Sequence, residues 1–194
     1  MKNHLSNASH NIYSLLVTPK TFFEGKRADD LKAALPYLFV GIVLGTIQIS
    51  VTSIPLRSTF IFEYIYFVCG NLIIFLFKTL LIWVIIKGLG ETISYRNILA
   101  TMMFVSFFSI FGSIYYETFI LSNLLFGIDF MLFLYGSIIV ITLLFIWTSY
   151  CAIIGLSTMQ KIDRKIVTIG VLVVFSFFYL RNLFYAISTI LALS

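Results

Sequence analysis

The sequence predicts an all-α fold, a polytopic transmembrane helical bundle of five spans with short interfacial helices, and three observations predict it. Of the 194 residues, 60% are hydrophobic and only 11% are charged, where a soluble domain carries about 25% charged residues. The mean hydropathy is +1.05, so too few polar side chains are available to coat a water-facing surface. The charges sit in short segments between apolar runs of roughly 20 residues, the length that crosses a hydrocarbon core as a helix.

Residues 1–30 form a cytoplasmic amphipathic head, and residues 31–194 the five-helix transmembrane domain. In the head, Ile12, Leu15, Leu16, Phe22 and Phe23 alternate with Ser14, Lys20, Lys26 and Arg27, and Pro19 divides the stretch. Two readings of it stand: a segment lying on the membrane surface, aromatics in the headgroup layer and basic residues toward anionic lipid, or a partly ordered tail. The head lacks the apolar core of a cleavable signal, so the first span is expected to act as the insertion signal itself.

That first span covers about 33–54, with Asp29 and Asp30 placed to cap it and Pro36 in its opening turns. Arg57, beside Pro55, marks a short external turn. The second span covers about 64–86 and holds one charge, Lys78. Gly88 and Gly90 in the following loop suit a helix stop and a tight turn. The third span covers about 98–116, and the apolar stretch 117–129 after it is too short to cross and is expected to lie along the outer interface. The fourth span covers about 130–156, long enough to cross with tilt. A basic loop with Lys161, Asp163, Arg164 and Lys165 leads into the fifth, about 166–187. Arg181 interrupts this last apolar run, and the tail beyond it is expected to lie along the outer interface.

Lys and Arg in short loops set orientation. Lys2, Lys20, Lys26, Arg27 and Lys32 in the head fall on the same side as Lys87, Arg96, Lys161, Arg164 and Lys165, and the opposite loops offer only Arg57. The expected topology has the N-terminus in the cytoplasm and the C-terminus outside.

The net charge of +5 is scattered over these loops and forms no basic patch with interleaved aromatics, so no nucleic-acid partner is expected. The histidines, His4 and His10, both lie in the head, and the acidic residues all lie in loops or at span ends. No nucleophile–base pair or metal-ligand set can be assembled at membrane depth, and no catalytic, cofactor-binding or metal residue is assigned. Coupled transporters keep a carboxylate near mid-membrane, which this chain lacks. Cys69 and Cys151 lie in apolar runs, near opposite faces in the expected topology, and read as small apolar residues.

Two cations remain inside apolar sequence, where each costs about 2.5–3.5 kcal/mol at a helix centre. Lys78 lies about 13 Å from the inner boundary, deeper than its stem covers, so it can face the bundle interior. It reads either as an intramembrane polar site for an anion or lipid headgroup, or as a snorkelling or internally hydrogen-bonded lysine. Arg181 reads as an outer-interface anchor, with Glu117 or Asp129 available as partners on that side. Small residues mark helix-packing faces: Gly41 and Gly45 at GxxxG spacing, Ser149, Ala152 and Gly155 on the fourth span, and Ser106, Ser109 and Ser113 on the third. Such faces serve packing within one bundle, and also suit a membrane-protein partner or a homo-oligomer.

The order of these features resembles the Yip family, five-pass membrane proteins named for interaction with Ypt/Rab GTPases, and in particular its small prokaryotic members. Leu15-Leu16-Val17-Thr18-Pro19-Lys20-Thr21-Phe22-Phe23-Glu24 is similar to the family's opening signature, Gly88 to Arg96 to its short loop before the third span, and Trp147, Gly155 and Leu156 to its closing section. The Asp-Leu-Tyr-Gly-Pro motif of the eukaryotic branch has no counterpart here, so Rab binding is not implied. The resemblance implies a five-helix domain in a prokaryotic cell membrane, and transfers no catalytic or ligand residue. Together with the small-residue faces it points to a non-enzymatic protein acting through protein or lipid interactions with the bilayer and its proteins. The alternative is a small transporter or channel component with a polar cavity near Lys78.

Overall fold

Apolar runs free of internal proline give long helices here, and the computed structural model describes residues 11–26, 30–44, 60–112, 114, 115, 118 and 130–193. Among these residues every regular element is helical. The elements are α1 (11–17), α2 (Pro19–Glu24), α3 (Leu31–Leu38) running into a π-helical turn over Phe39–Leu44, α4 (Phe60–Gly88), α5 (Tyr95–Ser106), α6 (Phe130–Gln160) and α7 (Arg164–Leu193). Four helices are long and apolar enough to cross a bilayer: Tyr64–Gly88, Tyr95–Gly112, Tyr135–Gln160 and Arg164–Phe184. The first expected span is represented by the shorter apolar helix Leu31–Val43, and residues 45–54 lie outside the described residues. The 117–129 stretch likewise lies outside them, apart from Thr118.

Local chemistry sets the helix ends. The Asp30 carboxylate accepts the Ala33 N–H at 3.0 Å and caps α3, and the Ser94 hydroxyl accepts the Asn97 N–H at 3.3 Å and caps α5. Helix α4 closes in a Schellman motif: Glu91 N–H donates to the Ile86 carbonyl, Gly90 N–H donates to that of Lys87, and Gly90 takes φ +97°. Between α6 and α7 the chain reverses at Lys161, φ +54°, and the Asp163 carboxylate accepts the Lys165 N–H at 2.9 Å.

Burial is inverted relative to a water-soluble bundle. Ile139, Leu143, Ile146 and Tyr150 form one exposed stripe on α6, Ile169, Val173, Phe177 and Phe184 another on α7, and Phe62 and Tyr66 of α4 are each 76% exposed. Apolar stripes of this length at helical spacing suit a lipid environment. The interior is equally apolar: α6 packs along α7, α3 along α5, and α4 against both α5 and α7.

Of the head, residues 11–26 form two short helices that dock on the bundle. Leu15 and Phe23 are fully buried and Phe22 nearly so, because α2 docks on α6 near the bundle's basic end. Phe22 and Phe23 meet Phe104 edge-on at 5.3 and 6.1 Å, and Tyr37 joins them at 5.0 Å from Phe104. An internal aromatic cluster removes these rings from water as completely as a headgroup layer does, with better-defined contacts.

The last helix departs from expectation. It passes Arg181 without a break and continues to Leu193, so 182–193 is no separate interfacial segment. Arginine is a good helix former, and no proline or glycine follows it to stop the helix.

Candidate functional site

The helix carrying Lys78 is regular throughout, whereas the two helices facing it are not. Past Pro36, the first apolar helix widens into the π turn Phe39–Leu44. On α5, Phe107, Phe108, Ile110 and Phe111 each donate to the carbonyl three residues back, which tightens the helix just past its regular end. The two irregular stretches touch: a Cβ on Gly41 would collide with the Ser106 carbonyl, so only glycine permits this approach. Carbonyls loosened from the helical ladder find side-chain donors. The Ser109 hydroxyl reaches the carbonyls of Gly41 and Ser106, and Tyr64 Oη donates to the Val43 carbonyl at 3.1 Å. Irregular backbone at membrane depth is tolerated where it lies inside protein or lines a cavity, and here it does line one.

That cavity has a volume of about 450 Å³, within the roughly 300–1,000 Å³ range of small-molecule sites. Five helical segments wall it. Gly41 and Ile42 come from the π turn, Asn71, Phe75 and Lys78 from α4, and Met102, Val105, Ser106 and Ser109 from α5 and its tightened continuation. Helix α6 adds Leu144, Phe145 and Thr148, and α7 adds Phe175, Phe178, Tyr179 and Asn182. Phe75, Met102, Val105 and Phe178 are buried and form the floor, whereas Asn71, Ser109 and Asn182 are exposed and form the rim.

Lys78 is half-buried about 15 Å along α4 from Gly88. Its Nζ lies 4.4 Å from the Phe178 ring centroid, over the face of the ring. Such a contact contributes about 0.5–2 kcal/mol, less than the several kcal/mol that a desolvated charge costs. The Arg181 guanidinium, one turn beyond Phe178, acts on the same ammonium with like charge. Among the described residues the lining contains no carboxylate, histidine or cysteine. Its neutral groups are ordered by the helices themselves: Tyr179 shares a 2.9 Å hydrogen bond with Thr142 and stacks on Phe145 at 4.6 Å, and the Thr148 hydroxyl donates back to the Leu144 carbonyl. The site can hold an anion against its cation and apolar groups against its walls.

The other sequence-selected residues fall around this centre. Gly41 lines it, and Gly45 lies outside the described residues, as do Ser113 and the possible Arg181 partners Glu117 and Asp129. Ser149, Ala152 and Gly155 are buried on α6; a Cβ on Gly155 would sit 2.7 Å from Thr101 and 2.9 Å from Phe23. Arg181 is an exposed residue of α7, beside Asn182 at the cavity rim. Cys69 is exposed and Cys151 buried, both as free thiols. No cluster of potential metal ligands occurs among the described residues. Sequence reasoning missed Asn71, Tyr179 and Asn182. The available signal was spacing: Asn71 stands two turns from Lys78 on one face of α4, and Phe175, Phe178 and Asn182 repeat at helical spacing on α7.

Comparison with known proteins adds the family. No curated protein and no solved structure matches the chain. The Yip1 domain does match, over residues 13–181, from the docked head to the cavity rim on α7. The chain is therefore a multi-pass membrane protein that belongs to the Yip1-domain family.

Proposed function

We propose that this protein is a non-enzymatic member of its family in a prokaryotic cell membrane, acting through lipid or protein interactions in membrane organisation. It crosses five times, with the N-terminus in the cytoplasm and the C-terminus outside. The observation that carries this reading is the cavity around Lys78, which sets a cation and polar rim groups over an apolar floor, an arrangement suited to holding an amphiphilic ligand. The lipid-facing stripes of α4, α6 and α7 support it by giving the bundle a long apolar perimeter. The test is reconstitution of the full chain into vesicles, with co-purification from native membranes alongside. The reading expects a change in vesicle shape or a recurrent membrane partner; a protein that does neither and instead passes solutes refutes it. Reporter fusions at each loop test the orientation, and a C-terminal reporter active in the cytoplasm overturns it.

The same cavity favours one second reading, a small transporter or channel component. Flux through reconstituted protein that falls on Lys78→Met supports that reading, and absent or unchanged flux removes it.

A further inference from the structure

We propose that the Lys78 cavity is a binding site for the anionic headgroup of a membrane lipid, with the adjoining part of its acyl chain lying along the apolar floor. The inference deepens the lipid-interaction reading above and rests on it.

Charge is the first argument. Lys78 is half-buried, and the ring face of Phe178 offsets only part of its lost hydration. Arg181 adds a second positive charge to the same region, and no carboxylate among the described residues lines the cavity. A positive potential in a low-dielectric recess favours an anion and disfavours any ligand whose cationic group would enter with its phosphate.

Shape is the second. The buried floor is apolar, whereas the exposed rim offers the amides of Asn71 and Asn182. Headgroup oxygens can accept from rim donors and from the ammonium, while methylenes meet Phe75, Met102 and Val105. A wholly soluble anion would leave that floor unused.

Access is the third. The rim residues sit among exposed apolar side chains: Leu72 and Ile73 follow Asn71, and Leu180 precedes Arg181 and Asn182. These belong to the surface that faces lipid, so a ligand reaches the mouth from the bilayer. The π turn at Gly41 and the tightened turn after Ser106 form the opposite wall, where backbone carbonyls are already held by Ser109.

The experiment uses the full-length protein purified in neutral maltoside detergent and titrated with dodecyl phosphate, inorganic phosphate or additional dodecyl maltoside. Dissociation constants are read from the ligand-dependent rise in unfolding temperature. Dodecyl phosphate is expected to bind at least about tenfold more tightly than inorganic phosphate, and added maltoside to give no shift. Lys78→Met is expected to weaken dodecyl phosphate by about tenfold or more, and Lys78→Arg to retain it within about threefold. Lys78→Gln serves the same purpose if Lys78→Met does not fold. Equal binding of dodecyl phosphate by wild type and the Lys78→Met or Lys78→Gln protein overturns the proposal. Inorganic phosphate binding as tightly as dodecyl phosphate also overturns it, since the site would then take a soluble anion. Failure of these titrations beside an intact vesicle or partner phenotype sinks the lipid site alone. Lys78-dependent binding without such a phenotype upholds the site and sinks the wider functional reading.

Discussion

Replacing Phe23 by alanine should release the head from the bundle. Phe23 is fully buried, meets Phe22 at 5.1 Å and Phe104 at 6.1 Å edge-on, and fills the space left by Gly155. A buried Phe→Ala change costs about 3–5 kcal/mol when the surroundings cannot collapse into the gap. Helix α2 has only 6 residues, too few to persist as an isolated helix, so the cost falls on local docking. At roughly 1.4 kcal/mol per tenfold, even the lower figure means amide exchange across 11–26 accelerated by about 100-fold or more. Hydrogen exchange read by mass spectrometry on the protein in nanodiscs measures this directly. Thr21→Ala, at an exposed position of the same helix, is the control and should leave exchange nearly unchanged. Equal protection of 11–26 in wild type and Phe23→Ala would refute the docking argument.

Other substitutions probe the remaining features. Gly41→Leu drives a side chain into the Ser106 carbonyl and should lower stability in detergent by about 1–3 kcal/mol, whereas Gly70→Ala, with nothing near its Cβ, should hold or raise the unfolding temperature. Gly90→Ala forces a side chain onto φ +97° and should cost about 1–2 kcal/mol, seen as a lower unfolding temperature with the Lys78 ligand response intact. Ser149→Ala removes a buried hydroxyl that has no hydrogen-bond partner among the described residues, and should be neutral or raise the unfolding temperature. A drop would mean that a donor or acceptor outside those residues serves it.

The helical class was legible because lipid imposes one rule on the whole chain: runs such as 64–86 and 130–156 have no polar face, so only spanning helices satisfy their backbones. Caps were legible where one side chain acts locally, as Asp30 does for α3. The docking of α2 was not, because Phe22 and Phe23 beside lysines suit a headgroup layer as well as a protein groove. Only the position of Phe104, far along the chain, distinguishes the two. Lys78 stood out as a charge in an apolar run, but its surroundings did not: Asn71, Tyr179 and Asn182 gain meaning only when α4 and α7 are brought together. The π turn was equally hidden, since the clash it avoids is with Ser106 of another helix.

The apolar windows of α4 and α6 run for 25 and 26 residues. At 1.5 Å per residue these are about 38 Å long, against a hydrocarbon layer of about 30 Å. A stiff bundle with rods of this length must lean, or draw the surrounding leaflets taut and thick, at a fraction of a kcal/mol for each ångström of mismatch. Bilayer thickness thereby becomes an input to this protein: a thick membrane accepts it upright, and a thin one tilts the very helices that frame the recess around Lys78.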